Sequence, residues 1–249
     1  MEKVTKNDLC PWFFGNRPKD DLKELFRNHL KQIIGKDAHE ATISMAFENL
    51  FLRYQNNLRV FHNIHHLDFI FQKINELIKS GKVLKDLNEL PSLFLAIWYH
   101  DIIVEYSGLF SEAASCELFL KEMKAFYLPP YEYGIIIKAH EFIYATANHT
   151  SERDSHLLDL FLDIDCLVLA SPEEDYEIYK KLLQQEVLGL TKGLSKNTFL
   201  IKRIDFLTDF YSRTKIFKTK EFEEFEEQAR INMFREIREL GNVVQRGRK

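Results

Sequence analysis

The stretch Leu93-Phe94-Leu95-Ala96-Ile97-Trp98-Tyr99-His100-Asp101 decides how this chain is read. An unbroken apolar run ends on a histidine and an aspartate, and a run of that kind belongs in a core. Adjacent His and Asp on a buried segment are costly to desolvate unless something binds them. His66 lies upstream and Asp165 downstream, so the order is His, His-Asp, Asp. Two imidazoles and two carboxylates form a mixed nitrogen and oxygen set that suits a hard-to-borderline divalent metal. The first expectation is a metal site, and with it an enzyme.

Outward from this stretch the chain reads as helical. Leu22, Leu25, Phe26, Leu30, Ile33 and Ile34 recur at helical spacing until Gly35 stops the run. Leu67, Ile70, Phe71, Ile74, Leu77 and Ile78 form a second stripe, ended by Gly81. Ser171-Pro172-Glu173-Glu174 reads as a helix start, with Ser171 as N-cap and Glu174 closing a capping box. Further helices are expected from about Asn197 to Tyr211 and across the Glu-rich stretch 221–240. Alternating strand patterns are missing, and there is no repeat, low-complexity linker or composition break. The expectation is one all-α domain spanning residues 1–249.

Composition sets outer limits. The 249 residues can bury a sizeable core, and 45% apolar with 29% charged is ordinary for a soluble globular chain. A net charge of -4 and a pI near 6.2 give no electrostatic reason to expect nucleic acid. Arg246-Gly247-Arg248-Lys249 is a short basic tail and reads as a solvated terminus. Cys10, Cys116 and Cys166 are odd in number and widely spaced, so they read as reduced thiols rather than a disulfide framework. The first residues are polar and lack the apolar centre of a signal peptide, and no segment has the apolar length to span a bilayer. The expected compartment is the cytoplasm, with no membrane partner.

Helical geometry sorts the candidate ligands. His66 precedes Ile70 by four residues and Ile74 by eight and so shares their buried stripe, whereas His65 projects toward Phe69 and Gln72. His100 and Asp101, read as helical, border the stripe of Leu93 and Ile97. Asp165 sits on the edge of the Leu157, Phe161, Ile164 and Val168 face, while Asp163 continues the more polar line of His156 and Asp159. The inward carboxylate is expected to be Asp165, and His156 to lie at the surface.

With those residues in place, the chain resembles the HD-domain metal-dependent phosphohydrolases, in particular a small bacterial family with a Tyr-His-Asn-x-x-His segment. Here the segment is Phe61-His62-Asn63-Ile64-His65-His66, preceded by Tyr54 and Arg59. The His-Asp is Trp98-Tyr99-His100-Asp101, and the late Asp lies in Leu162-Asp163-Ile164-Asp165-Cys166-Leu167. Ile216-Phe217-Lys218-Thr219 and Glu227-Gln228-Ala229-Arg230-Ile231-Asn232 resemble the family's C-terminal pattern, so the likeness runs from about residue 18 to 240. The His-Asn-x-x-His segment is also similar to the signature of cyclic-nucleotide phosphodiesterases. Phe61 departs from the pattern, which has Tyr there.

The resemblance implies a helical HD-type bundle that cleaves a phosphate ester or anhydride of a small molecule, a nucleotide first among the substrates expected. His66, His100, Asp101 and Asp165 would hold the metal, which could be manganese, magnesium, iron, nickel, cobalt or zinc. The ion would acidify a water and polarise the phosphoryl oxygen. Asp101 or Asp165 would orient that water, and His62 would protonate the leaving oxygen. Arg59 reads either as a bidentate phosphate partner or as an exposed residue beside a helix start. Glu112 reads as a contact to metal-held water or as a helix cap, and the loop 105–109 is expected over the metal. His149 reads as a substrate contact or a support for the metal ligands, and His140 as off its face. A second ion, a di-iron oxygenase on the same fold and a non-catalytic nucleotide sensor are the alternatives.

Overall fold

The apolar run becomes the helix α4 (Leu90–Tyr99), and the molecule is arranged around it. Every residue from Ser92 to Tyr99 is buried, as a helix apolar on all sides must be. The computed structural model describes residues 14–34, 39–82, 86–104, 111–126, 132–151 and 154–246. Among the described residues there are ten α-helices and no strand. The other nine are α1 (Lys19–Ile34), α2 (Glu40–Tyr54), α3 (Ile64–Lys79), α5 (Ser111–Lys124), α6 (Tyr133–Ala145), α7 (His156–Asp165), α8 (Glu173–Leu190), α9 (Lys196–Ser212) and α10 (Glu226–Arg246). The all-α expectation holds. Cys10, Gly35, the loop 105–109 and tail residues 247–249 lie outside the described residues.

Five helices (α1, α3, α5, α6 and α7) pack directly on α4, and one continuous apolar cluster joins them to α8, α9 and α10. Trp98 is the centre of the first group. Its ring meets Phe26 edge-on at 5.3 Å and Phe71 at 4.6 Å, and its carbonyl accepts the Tyr54 hydroxyl at 3.1 Å. The indole N–H donates to His29 Nδ1 at 3.1 Å, while the His29 ring stacks on Phe94 at 4.0 Å. Burial, with some help from the Arg17 charge, pushes the His29 pKa down to about 3. The unfolded chain takes that proton near pH 6.5 and the folded one only near 3, so the unfolded state binds more protons in between. His29 therefore costs no stability above about pH 6.5. Its cost grows as pH falls toward 3, to on the order of 4 kcal/mol. His29→Gln, which keeps an acceptor for Trp98, is expected to flatten that part of the acid limb when denaturation midpoints are measured against pH.

Local rules set the helix ends. The Asn63 side chain accepts from the His65 N–H at 2.9 Å and starts α3, and Gly81 takes φ +69° just past its end. Ser155 and Ser195 cap α7 and α9 through the N–H groups of Leu158 and Thr198. The capping box expected at Ser171 does not form. Ser171 Oγ instead donates at 2.8 Å to the Val168 carbonyl that closes the turn Leu167–Ala170, the same carbonyl that accepts the Ser171 N–H. The Glu-rich stretch is not one helix: a short turn over Lys220–Phe225 precedes α10. Glu226 accepts the N–H groups of Ile216 and Phe217, which fixes the break between them.

Asp163 also departs from expectation. It is buried rather than on a polar line, and it accepts the N–H groups of Lys218 and Thr219 and the Thr219 hydroxyl. Asn232 Nδ2 donates to the carbonyls of Leu169 and Ser171. These bonds tie the end of α7 to the C-terminal helices, so both residues serve the frame around Asp165. His156 is half-buried and lies 3.3 Å from Glu221, not free at the surface. On the other side of α3, Asp68 is fully buried and holds Arg17 through its backbone N–H and its guanidinium, each at 2.9 Å. A Cβ on Gly15 would come within 2.2 Å of the Asp68 carboxylate, so only glycine lets that segment lie against α3.

Candidate metal centre

Three helix ends meet at one point. His66 lies in the first turn of α3, His100 closes α4, and Asp165 is the last residue of α7. Asp101 is not helical as the sequence reading assumed. It occupies the turn just beyond His100, which frees its carboxylate to point back at the histidines. One ligand atom from each of His66, His100, Asp101 and Asp165 lies within 4.8 Å of the other three. His66 Nε2 is 3.0 Å from Asp165 Oδ1, and His100 Nε2 is 3.1 Å from Asp101 Oδ2. Donors about 2.1 Å from a common ion and at right angles to one another stand about 3 Å apart.

The support of each ligand differs. His100 Nδ1 donates to the Ile97 carbonyl at 3.0 Å, which leaves Nε2 as the ring nitrogen facing the carboxylates. That Nε2 is buried and makes no hydrogen bond. His66 Nδ1 is also buried without a hydrogen bond, so its orientation comes from packing against Phe61, 5.5 Å away, and from Asp165. Burial alone would lower the proton affinity of His100, but the Asp101 and Asp165 carboxylates outweigh it and hold the ring well above its ordinary range. Burial raises the two carboxylates, and His100 above all overcomes this and holds both well below theirs. The site thus keeps two half-buried negative charges and draws positive charge to them. A divalent cation with neutral imidazoles satisfies that demand.

Around this set stand the other residues singled out from sequence. His149 takes φ +48°, a strained value for a non-glycine residue, and its Nε2 is 3.0 Å from Asp165 Oδ2. Lys218 Nζ holds the His149 carbonyl at 2.7 Å, which fixes that conformation. Burial works against a charged His149 ring, but Cys166 and Asp165 push its pKa up to about 10. Asp165 thus shares its two oxygens between His66 and His149. His140 is half-buried on α6 and belongs to neither the cluster nor the cavity described below. Arg59 is neither exposed nor at the cavity. It is buried over the Tyr54 ring and donates to the Asp101 carbonyl at 2.5 Å, so it braces the turn that carries Asp101.

His62 lies outside α3, before the Asn63 cap, so helical spacing does not align it with His66. Glu186, fully buried on α8, aligns it instead. One Glu186 oxygen accepts the N–H groups of Phe61 and His62 at 2.7 and 3.0 Å, and the other is 2.5 Å from His62 Nδ1. Burial disfavours charge on His62, but Glu186 and then Asp101 overcome this and raise its pKa. Sequence reasoning missed Glu186. A signal was present, since Tyr179, Leu183 and Glu186 follow one apolar helical stripe and a carboxylate interrupts it.

His62, Asp101, Glu112, His149 and Asp165 line one end of a cavity of about 360 Å³. Glu112 comes from the first turn of α5, and burial raises its pKa. No protein-family model, curated protein or solved structure matches the chain.

Proposed function

We propose that this chain is a metal-dependent phosphohydrolase of the HD type. The observation that carries the reading is the convergence of His66, His100, Asp101 and Asp165 within 4.8 Å, beside a histidine paired with a buried glutamate. The order and spacing of the His-Asn-x-x-His, His-Asp and Asp elements support the same reading. A divalent ion bound there would supply Lewis-acid chemistry, acidifying a water and polarising the phosphoryl oxygen.

The chain's own residues supply the rest. His66, His100, Asp101 and Asp165 hold the ion and set the charge of the site. Glu186 fixes the His62 tautomer with the proton on Nδ1 when the ring is neutral, leaving Nε2 to carry or give up the second proton. With its pKa raised, His62 is the general acid for the leaving oxygen. Arg59 keeps Asp101 in place from behind. The cavity places the substrate beside His62 and the ligand set.

A panel of phosphomonoesters, phosphodiesters and nucleotides, assayed for release of phosphate or alcohol with manganese, nickel, iron or zinc, tests the reading. Metal-dependent turnover of at least one class is the expected result, and no turnover with any ion would retire it. A two-iron oxygenase needs two further histidines on metal. His149 reaches Asp165, but His140 is not among the cavity residues, so the oxygenase is the weaker alternative.

A further inference from the structure

The cavity has two unlike ends. One is the charged group around Asp165, with His62 and His149. The other is a chamber walled by Leu183 and Val187 of α8, Phe199 of α9, Leu194 of the connection between them, and Leu169. Leu169, Leu183, Val187 and Phe199 are each less than a tenth exposed, so they belong to the core yet face open volume. Phe61, in the lining next to His62, presents a ring without a hydroxyl, 4.9 Å from the Tyr179 ring. The apolar surface therefore begins beside His62 and continues to α8 and α9.

The cations at the chamber do not change its character. Arg203 lines it, but its Nε and Nη2 are bonded to the two Glu236 oxygens at 2.9 and 3.1 Å, and Glu236 also takes the Tyr176 hydroxyl at 2.6 Å. The same guanidinium lies over the Tyr179 and Phe206 rings, at 5.2 and 5.3 Å. Its charge is balanced within the protein. Lys202 is exposed.

A nucleotide is a poor fit for such a chamber. Its ribose hydroxyls, base edges and further phosphates each need a partner, and burying them against Leu, Val and Phe would leave them unpaired at a cost. An alkyl or aryl group loses nothing there and gains the transfer from water. A volume of about 360 Å³ lies at the lower end of small-molecule pockets and suits one ring or a short chain.

We infer that the substrate is a phosphomonoester of a small apolar alcohol or phenol, with its phosphate at the His66, His100, Asp101 and Asp165 end and its body against Leu183, Val187 and Phe199. The inference rests on the phosphohydrolase reading. In the reaction the oxygen of water bonds to phosphorus and the ester P–O bond breaks. The His62 proton passes to the leaving oxygen, and a proton from the attacking water restores His62. The products are the free alcohol and inorganic phosphate.

The test is calorimetric titration of the full chain, with and without manganese, using n-alkylphosphonates from methyl to octyl and adenosine 5′-monophosphate. Phosphate release from the matching n-alkyl phosphates is followed in parallel. Affinity is expected to rise about fourfold per methylene until the chamber is full. The binding heat capacity should become more negative along the series, and the nucleotide should bind more weakly than hexylphosphonate. Val187→Asn is expected to flatten the series, and the wild-type slope decides the matter even if that variant does not fold. A flat wild-type series, no phosphonate binding, or tighter binding of the nucleotide overturns the inference. Phosphate release from nucleotides with a flat alkyl series would leave the hydrolase reading standing alone. A steep binding series with no release from any ester would instead overturn the hydrolase reading and keep the apolar chamber as a ligand site.

Discussion

Replacing His100 and Asp101 together by alanine is expected to abolish both metal retention and turnover, while the wild-type chain carries about one equivalent of divalent ion at one site. The two residues bring one imidazole and one carboxylate to the group, and the remaining His66 and Asp165 cannot by themselves bind an ion tightly. The effect on fold should be smaller than the effect on metal. His100 is buried with an Nε2 that no hydrogen bond satisfies, and Asp101 is a half-buried charge, so their loss removes groups that are costly in the absence of a cation. Mass-spectrometric metal analysis beside thermal unfolding separates the two effects. Metal retained by the double variant at wild-type level would remove these residues from the site. The milder Asp165→Asn is expected to keep the shape and lose most of the affinity, since it removes a charge that His66 and His149 both face.

His62→Ala is expected to lower kcat by about 10²–10⁴, the usual worth of a positioned general acid. Metal content should not change, because His62 is not among the ligand group. Glu186→Gln is the sharper experiment, since Glu186 reaches the reaction through His62. It accepts from His62 Nδ1 and from two backbone N–H groups, and its charge raises the His62 pKa. With glutamine there, His62 should lose its proton at lower pH. The sign follows directly: a general acid works below its pKa, so the alkaline limb of the pH–rate profile should move to lower pH, with kcat down about 10–100-fold at neutral pH. A variant that loses activity without moving that limb would make Glu186 a purely structural residue. Substrates whose leaving groups need no proton, such as aryl esters of acidic phenols, should be much less affected by either change.

Both experiments draw on different amounts of what could be read in advance. The helical class and α1, α3 and α9 follow from periodicity, because a packed helix must repeat its apolar residues at about 3.6, and the burial of the Leu93–Tyr99 run follows from its unbroken apolar character. His66, His100 and Asp165 were legible for the same reason, as polar residues standing on apolar stripes. Asp163 sits two residues before Asp165 and is the more deeply buried of the two, yet its role as the cap of residues 218 and 219 has no local signature. Arg59 read as an exposed residue or a phosphate partner because nothing nearby in sequence announces a carbonyl 42 residues away.

Composition and periodicity by themselves determined an all-α chain with a His, His-Asp, Asp set on buried faces. Only the tertiary structure decided that Asp101 leaves the helix, that Glu186 stands behind His62 from 124 positions away, and that an apolar chamber opens beside the charged set. The physical reason is the range of the forces. Helix formation and amphipathic patterning are governed by neighbours three and four residues apart, which the sequence displays. Hydrogen bonds between distant segments, and the volume left where three helix ends fail to fill space, exist only once the helices have packed.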